Sequence, residues 1–329
     1  MKRTRGRAAV TGMCAALGLG LMTALTVGLP AGGLAGCARQ ARGPVIRVSG
    51  AWALYPMMVR WSEEFRQIHP DVRIDVSAGG AGKGAADALA GRADIGMVSR
   101  DIRPEELAQD AFWVPVAKTA VFATLNAANP VASELAAQGI KRSTLIALWT
   151  GGSPPTWGEV VGKPAVKDRV RVYVRGDACG AAETWARYLG KQVADLKGVA
   201  GFGDDRLTDT LRRDPQGIGF NNLAYAYDAQ TGRPTAGLMV VPIDLNADGR
   251  LDDHEDFYGT IGQARTAIAA GVYPPLLTHE VYLLTRGKPT GLVQEFMRWV
   301  LRDGQELVGP AGCIALGPDQ LAAGIAKLR

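Results

Sequence analysis

The chain has 329 residues, 47% of them hydrophobic, which is enough to build two domains of ordinary size. Its formal charge of +5 would suit a nucleic-acid partner, but four of its basic groups are Lys2, Arg3, Arg5 and Arg7, in a segment without acids. Without residues 1–36 the chain carries 33 basic and 32 acidic groups, so its charge gives no support to nucleic-acid binding.

The N-terminal segment, residues 1–36, has the pattern of a signal peptide. The basic start is followed by an apolar, Gly/Ala-rich run and by Leu34-Ala35-Gly36 before Cys37. This tetrapeptide resembles the lipobox of bacterial lipoproteins, which implies cleavage before Cys37 and a lipid on its sulfur. Residues 37–43 would then be a tether. The alternative is an uncleaved transmembrane anchor. In both cases we expect an extracytoplasmic, membrane-anchored protein.

Residues 45–105 contain three short apolar strands, each followed by a loop. We predict strands at 45–50, 72–78 and 93–101, and helices at 56–69 and 85–90. The loops after the first two strands, GAWALYP and GGAGKG, open helices. In a parallel sheet these loops share one edge, where free backbone N–H groups at helix starts suit an anion.

The rest of the chain also alternates strands with helices. We predict a long β-rich run at 111–130 and strands at 170–174, 238–243 and 279–285. Helices are expected at 143–149, capped by Ser143, and at 184–190, 260–271 and 290–303. This order favours an α/β architecture with largely parallel sheets.

Several segments, taken in order, resemble one known family. They are GAWALYP, GGAGKG, ADIGMVSR, LIALWTGGSPPTWGEV, RGDACGAAE, GIGFNNLAYAY, VYLLTRGKPTG and GQELVGPAGCIAL. Together they resemble the phosphate-binding lipoprotein of bacterial phosphate ABC transporters, within the type II periplasmic solute-binding fold. The resemblance implies an α/β protein with two lobes and a hinged cleft. Residues 44–124 plus 275–329 would form lobe 1, and residues 125–274 lobe 2.

The resemblance also implies a function and a ligand site. The chain would capture phosphate or a related oxyanion, as a monomer, for an ABC transporter permease. Arg175 would donate two parallel bonds to the anion, with Asp177 holding its guanidinium. The residues matching ligand-binding positions are Trp52, Ala53, Ala81, Lys83, Ser99, Arg100, Arg175, Asp177, Cys179, Gly180 and Ala181.

The same site departs from the family in its side chains. Hydroxyl-bearing positions here hold Ala51, Trp52 and Ala53, then Ala81 and Lys83, then Cys179 and Ala181. Backbone donors survive such changes, and Lys83 could replace a lost donor as a mobile charge. Arg100 is open to two interpretations, a second cation or a surface residue. Trp52 could narrow the cleft, stack on an organic ligand or fill the core.

Residues 244–255 fit the twelve-residue calcium loop of EF-hands. The ligand positions hold Asp244, Asn246, Asp248, Arg250 through its carbonyl, Asp252 and Glu255, with Gly249 at the sharp turn. A strand-like segment precedes the loop, which favours a single structural Ca²⁺ site of weak affinity. The alternative is a solvated acidic turn.

An enzyme is the weaker interpretation. None of the three histidines has a catalytic spacing with Cys179, and GGAGKG lacks the P-loop spacing. Cys179 at a helix start could have a lowered pKa, which leaves a thiol enzyme open. A lipoprotein that senses a ligand or scaffolds a complex is a further alternative. Cys179 and Cys313 could pair or stay as buried thiols.

Overall fold

The computed structural model describes residues 43–329, and the proposed signal peptide, Cys37 and nearly all of the tether lie outside this part of the chain. The described strands are β1 (Val45–Gly50), β2 (Arg73–Ala78), β3 (Ile95–Val98), β4 (Ala111–Asn126), β5 (Ile140–Lys141), β6 (Arg171–Arg175), β7 (Val199–Gly201), β8 (Gly217–Asn222), β9 (Leu238–Val240), β10 (Ile243–Asp244) and β11 (Thr278–Arg286).

Helices lie between most of these strands. They are α1 (Tyr55–Ile68), α2 (Ala81–Leu89), α3 (Pro104–Leu107), α4 (Ala132–Gln138), α5 (Arg142–Thr150), α6 (Trp157–Val161), α7 (Gly180–Leu189), α8 (Asp204–Arg213), α9 (Leu223–Ala226), α10 (Ile261–Ala269), α11 (Gly291–Val300) and α12 (Pro318–Lys327). Short 3-10 helices occupy Trp52–Leu54, Val193–Asp195, Pro275–Leu277 and Asp303–Leu307. Within residues 43–329, no helix combines the length and apolarity that a membrane crossing requires.

The main sheet has the strand order β2-β1-β3-β11-β4-β8-β6-β7, with β9 added beside β4. Strands β1, β2 and β3 are parallel, as are β6, β7 and β8. However, β11 runs antiparallel to β3 and β4, and β4 runs antiparallel to β8 and β9. The two long strands β4 and β11 thus run antiparallel to their neighbours in the centre of the sheet. The prediction of a largely parallel sheet was therefore only half right.

The buried apolar residues form two large clusters. The first core cluster includes Trp61, Phe65 and Met297, and the second includes Trp149, Trp185 and Phe220. Strand β4 contributes Val114, Val116 and Ala117 to the first cluster and residues 120–123 and Leu125 to the second, and β11 pairs with β4 from Ala111 to Ala120. The two clusters are therefore joined by a pair of continuous strands, which is the geometry of a hinge.

Several helix starts differ from those predicted. Helix α2 begins at Ala81, inside the glycine loop, and α7 begins at Gly180, so both start four residues early. Both loops are rich in Gly and Ala, and such residues form no hydrophobic periodicity from which the start of a helix could be predicted. The predicted cap by Ser143 is wrong, since α5 begins at Arg142 and its N-cap is Lys141, without a side-chain bond.

Candidate functional site

The carboxyl ends of β1, β2 and β3 lie at one edge of the sheet. Gly50, the last residue of β1, pairs with Ala78 of β2 and with Met97 of β3. The loops that follow open a 3-10 helix after β1 and helix α2 after β2. The N–H groups of Trp52, Ala53 and Ala81 donate no hydrogen bond to another described residue. These groups are thus free for an outside acceptor.

The start of α7 lies against this edge. The Gly180 N–H donates to the Ser99 Oγ at 3.3 Å, and the Gly82 N–H donates to the Ala178 carbonyl oxygen at 3.3 Å. A Cβ on Gly180 would overlap the carbonyl oxygen of Ser99, so only glycine permits this approach. Ala181, the next residue of α7, also has an N–H without a partner among the described residues. The structure therefore brings together helix starts that are distant in sequence.

Arg175 is the last residue of β6, and two carboxylates hold its guanidinium. The region where Arg175 and the starts of α2 and α7 meet is called the junction below. The Arg175 Nε and one terminal nitrogen donate to Asp177 Oδ1 and Oδ2 at 2.7 and 2.6 Å. Its other terminal nitrogen donates to Asp204 Oδ2 at 2.6 Å. The Arg175 side chain is 0% exposed. Burial alone would lower the pKa of Arg175, but the charges of Asp204 and Asp177 outweigh burial and hold this pKa well above its usual value.

The predicted role of the Arg175 fork requires a correction. The two parallel bonds expected for an oxyanion go to Asp177 in the structure, because that carboxylate lies only two residues away. A guanidinium has five N–H groups and three are used here, so two remain for a ligand. Asp177 lies where the resemblance placed it, against the guanidinium.

Asp204 is a site residue that the sequence reasoning missed. It is the first residue of α8 and is completely buried. Its carboxylate accepts hydrogen bonds from the backbone and side-chain amides of Asn222 at 3.0 Å, in addition to the Arg175 bond. Leu207 and Leu211 have helical spacing after it, which was the available signal for α8. With Arg175, Asp177 and Asp204 together, the cluster carries a formal charge of −1.

Lys83 does not act as a free charge. Its Nζ contacts the Asp87 carboxylate one turn along α2 and donates to Ser49 Oγ at 2.8 Å. Burial would raise the pKa of the Asp87 carboxyl, but hydrogen bonds from Lys83, Ser49 and Arg92 outweigh it and lower this pKa to about 2. The prediction of a mobile substitute donor was wrong, because a largely buried carboxylate four residues away captures the ammonium group.

Arg100 is neither a surface residue nor an unpaired cation. Its side chain is 2% exposed, and its two terminal nitrogens donate to Glu106 Oε1 and Oε2 at 2.6 and 3.0 Å. The remaining Nε has no hydrogen-bond partner among the described residues, and Glu183 Oε1 lies 4.0 Å away. Glu106, on α3, was not predicted as its partner. This pair contributes no net positive charge to the site.

Trp52, which follows β1, contacts residues that lie far from it in the sequence. Its indole lies over Gly203, where a Cβ would come within 2.8 Å of Cε2, and Gly203 has a φ of +87°. The Tyr225 hydroxyl donates to the Trp52 carbonyl oxygen at 3.2 Å. Trp52 is only partly buried. It belongs to neither core cluster, so the core-filling interpretation is wrong, whereas narrowing of the cleft and stacking on an organic ligand stay predictions.

The two described cysteines are buried free thiols in different core clusters. They are therefore unpaired in this structure. Burial raises the pKa of Cys179 to about 12, and the Arg175 charge only partly offsets this effect. The lowered pKa considered for Cys179 at its helix start is therefore wrong.

Comparison with known proteins assigns the fold to a family. The model of the PBP superfamily domain matches residues 35–304. This chain belongs to the PBP superfamily. Among its relatives, the phosphate-binding protein PstS of Bacillus subtilis is 25% identical over 256 residues, covering 78% of this chain and 74% of that protein. The protein SphX of Synechococcus elongatus is 24% identical, covering 87% and 81%.

Solved structures agree with this assignment. A putative phosphate ABC transporter substrate-binding protein from Clostridium perfringens, with bound phosphate, matches with a TM-score of 0.66 at 19% identity, covering 83% of this chain and 100% of that one. A phosphate transport receptor from Vibrio cholerae matches with a TM-score of 0.57 at 19% identity, covering 82% and 100%. The predicted two-lobed type II fold and the family resemblance are confirmed. These relatives are named for binding and transport, not for catalysis.

Proposed function

We propose that this PBP superfamily chain is an extracytoplasmic solute-binding protein that captures phosphate, or a closely related oxyanion, for an ABC transporter. The supporting observation is the junction of Arg175 with the starts of α2 and α7. It combines a buried guanidinium with N–H groups that have no partner among the described residues. Relatives named for phosphate binding share most of the chain's length.

The charge balance of the junction favours a protonated oxyanion. Asp177 accepts three hydrogen bonds, from Arg175 twice and from the Gly203 N–H, which leaves one acceptor position on a carboxylate that can take about four. Phosphate near neutral pH keeps at least one O–H group that can donate to such an acceptor, whereas sulfate has none. We therefore expect phosphate to bind more tightly than sulfate.

Ligand access requires the two halves to separate. Arg175 is enclosed, and the contacts of Ser99 with Gly180 and of Trp52 with Gly203 close the junction. Opening about the β4–β11 strand pair would expose the site, and ligand binding would favour its closure. This motion is what a transporter needs in order to distinguish a loaded binding protein from an empty one.

The attachment to the membrane is a separate part of the proposal. A lipid on Cys37 would hold the protein, as a monomer, near its permease. Mass spectrometry of the N-terminal peptide from the membrane-extracted protein tests this directly. A diacylglyceryl-modified Cys37 supports the anchor, and an intact Met1 with an unmodified Cys37 contradicts it.

Calorimetry with phosphate, sulfate and molybdate tests the ligand. We compare the wild type with Arg175→Lys, which keeps the charge but loses the planar fork, and with Arg171→Lys on the same strand as a control. Arg171 is half exposed and pairs with Asp214. The site is supported if Arg175→Lys weakens phosphate binding at least about tenfold, a loss of roughly 1.4 kcal/mol, while Arg171→Lys binds phosphate as the wild type does. Absence of heat with all three anions overturns the function.

A further inference from the structure

The segment 244–255 joins β10 to α10 and holds a strong excess of negative charge. It contains five carboxylates and one basic residue, Arg250, apart from His254. The loop is tied to the body of the protein at two points. The Leu251 N–H donates to the Ala137 carbonyl oxygen at 3.1 Å, and Lys141 Nζ donates to the Ala247 carbonyl oxygen at 2.8 Å. None of the five carboxylates forms an ion pair with a Lys or Arg side chain of the described residues.

Asp244, the first residue of the loop, has a buried oxygen without a donor. The residue is 2% exposed. Its Oδ2 accepts a hydrogen bond from the Gly249 N–H at 2.8 Å, which turns the carboxylate toward the middle of the loop. Its Oδ1 is buried and has no hydrogen-bond partner among the described residues. A buried carboxylate oxygen without a partner is costly, and a cation would remove that cost.

Glu255, the twelfth residue, lies beside the first. It is completely buried, and its Oε1 accepts hydrogen bonds from the N–H groups of Leu245 and Asn246 at 2.9 and 3.1 Å. The nearest basic group is His254 Nε2, at 4.0 Å on a side chain that is 66% exposed. Two buried carboxylates therefore face the same turn of chain with no Lys or Arg partner among the described residues, an arrangement that proteins normally compensate with a bound cation.

The other oxygen-bearing side chains of the loop lie around this turn. Asn246 Nδ2 bonds to Asp248 Oδ2 at 3.3 Å and to Asp252 Oδ2 at 3.1 Å. Gly249, at the sharp turn, has a φ of +88°, which favours glycine. No three acidic, His or Cys side chains of residues 43–329 are already gathered at metal-binding distance. A cation would thus have to draw Asp248 and Asp252 inward from the amide of Asn246.

We propose that this loop binds one Ca²⁺ ion through Asp244, Asn246, Asp248, the Arg250 carbonyl, Asp252 and Glu255. Six oxygen donors in a flexible turn suit Ca²⁺, whereas Mg²⁺ demands a smaller and more regular cage. The ion compensates the two buried carboxylates and fixes β10 against β5, with which it pairs through Ile243 and Ile140. Its role is structural, and the proposal does not depend on the identity of the anion ligand.

Thermal unfolding of the purified full chain tests the site with Ca²⁺ alone. The protein is first treated with a chelator, and its Tm is measured with and without roughly 10 mM Ca²⁺, well above the ~10⁻⁴–10⁻³ M dissociation constants of extracellular sites. We expect Ca²⁺ to raise Tm by about 2–5 °C and Mg²⁺ to raise it by less. Terbium luminescence excited through Tyr258, whose hydroxyl contacts the Ile243 N–H, provides a second readout.

Two substitutions that each remove one negative charge distinguish a bound Ca²⁺ ion from nonspecific screening of the loop's charge by salt. Asp248→Asn removes a proposed ligand, and Asp253→Asn alters an exposed residue of the same loop that is not a proposed ligand. We expect the Tm shift and the terbium signal to disappear in Asp248→Asn and to persist in Asp253→Asn. The proposal is overturned if the wild type shows neither effect, or if both variants respond to Ca²⁺ alike.

Discussion

The amide of Gly180 donates to the hydroxyl oxygen of Ser99 across a separation of 81 residues, at 3.3 Å. Ser99 follows β3 on one side of the junction, and Gly180 begins α7 on the other. The two backbones approach so closely at this point that a side chain on Gly180 would collide with the Ser99 carbonyl. This contact is therefore a direct marker of the closed arrangement in which Arg175 is enclosed.

Replacing Gly180 with alanine should weaken ligand binding more than it weakens the fold. The added methyl group pushes α7 away from Ser99, which disfavours closure. We expect phosphate affinity to fall at least about tenfold, equivalent to roughly 1.4 kcal/mol. Calorimetry and thermal unfolding measure the two effects separately. Gly152→Ala is the control, because no atom lies within 4 Å of its added Cβ. If Gly180→Ala and Gly152→Ala bind phosphate with equal affinity, the contact between Gly180 and Ser99 does not mark the closed, ligand-binding arrangement.

Removing the carboxylate of Asp204 should destabilise the protein severely. Asp204→Ala leaves the Arg175 guanidinium with a single carboxylate and leaves the amides of Asn222 without their acceptor. Breaking a buried ion pair costs about 3–5 kcal/mol. Urea unfolding measures the loss of unfolding free energy. The neighbouring Asp205→Ala, at an exposed position of the same helix turn, should change it by no more than about 0.5 kcal/mol. A small effect at Asp204 would mean that its ion pair is not formed.

His279 should make stability depend on pH above the range where carboxylates titrate. Burial, and to a lesser extent the charge of Arg187, lower the pKa of His279 to about 3 from its usual 6.5. Because the folded pKa is the lower one, the stabilisation is complete above about pH 6.5 and is lost as pH falls toward 3. Between pH 6.5 and 4.5 the unfolding free energy should fall by about 2–3 kcal/mol.

Urea unfolding at a series of pH values measures this slope. His279→Gln should flatten it, since glutamine does not titrate, while retaining a polar group beside Thr184, whose hydroxyl lies 3.0 Å from Nδ1. His254→Gln is the control at a position that is 66% exposed, and it should leave the slope unchanged. A slope that persists in His279→Gln would assign the effect to another group.

Much of the architecture was readable from the chain itself. The alternation of strands and helices and the strand at residues 45–50 are local patterns, and hydrophobic periodicity reports them directly. The family was recognised by the resemblance of its motifs and by their order along the chain. The same holds for the order of oxygen-bearing residues in 244–255. Helices α2 and α7 were recognised but their starts were not, because glycine and alanine carry no periodic signal.

The sequence by itself determined the family, the fold and the presence of Arg175 beside Asp177, since the latter two are only two residues apart. Only the tertiary structure decided the charge of the site. Asp204 reaches Arg175 from 29 residues away along the chain, Glu106 takes both terminal nitrogens of Arg100, and Asp87 takes Lys83 on a side chain that is only 12% exposed. Whether a cationic side chain is available to a ligand depends on the carboxylates that are buried next to it. Burial is a property of the folded chain, so the sequence alone did not show it.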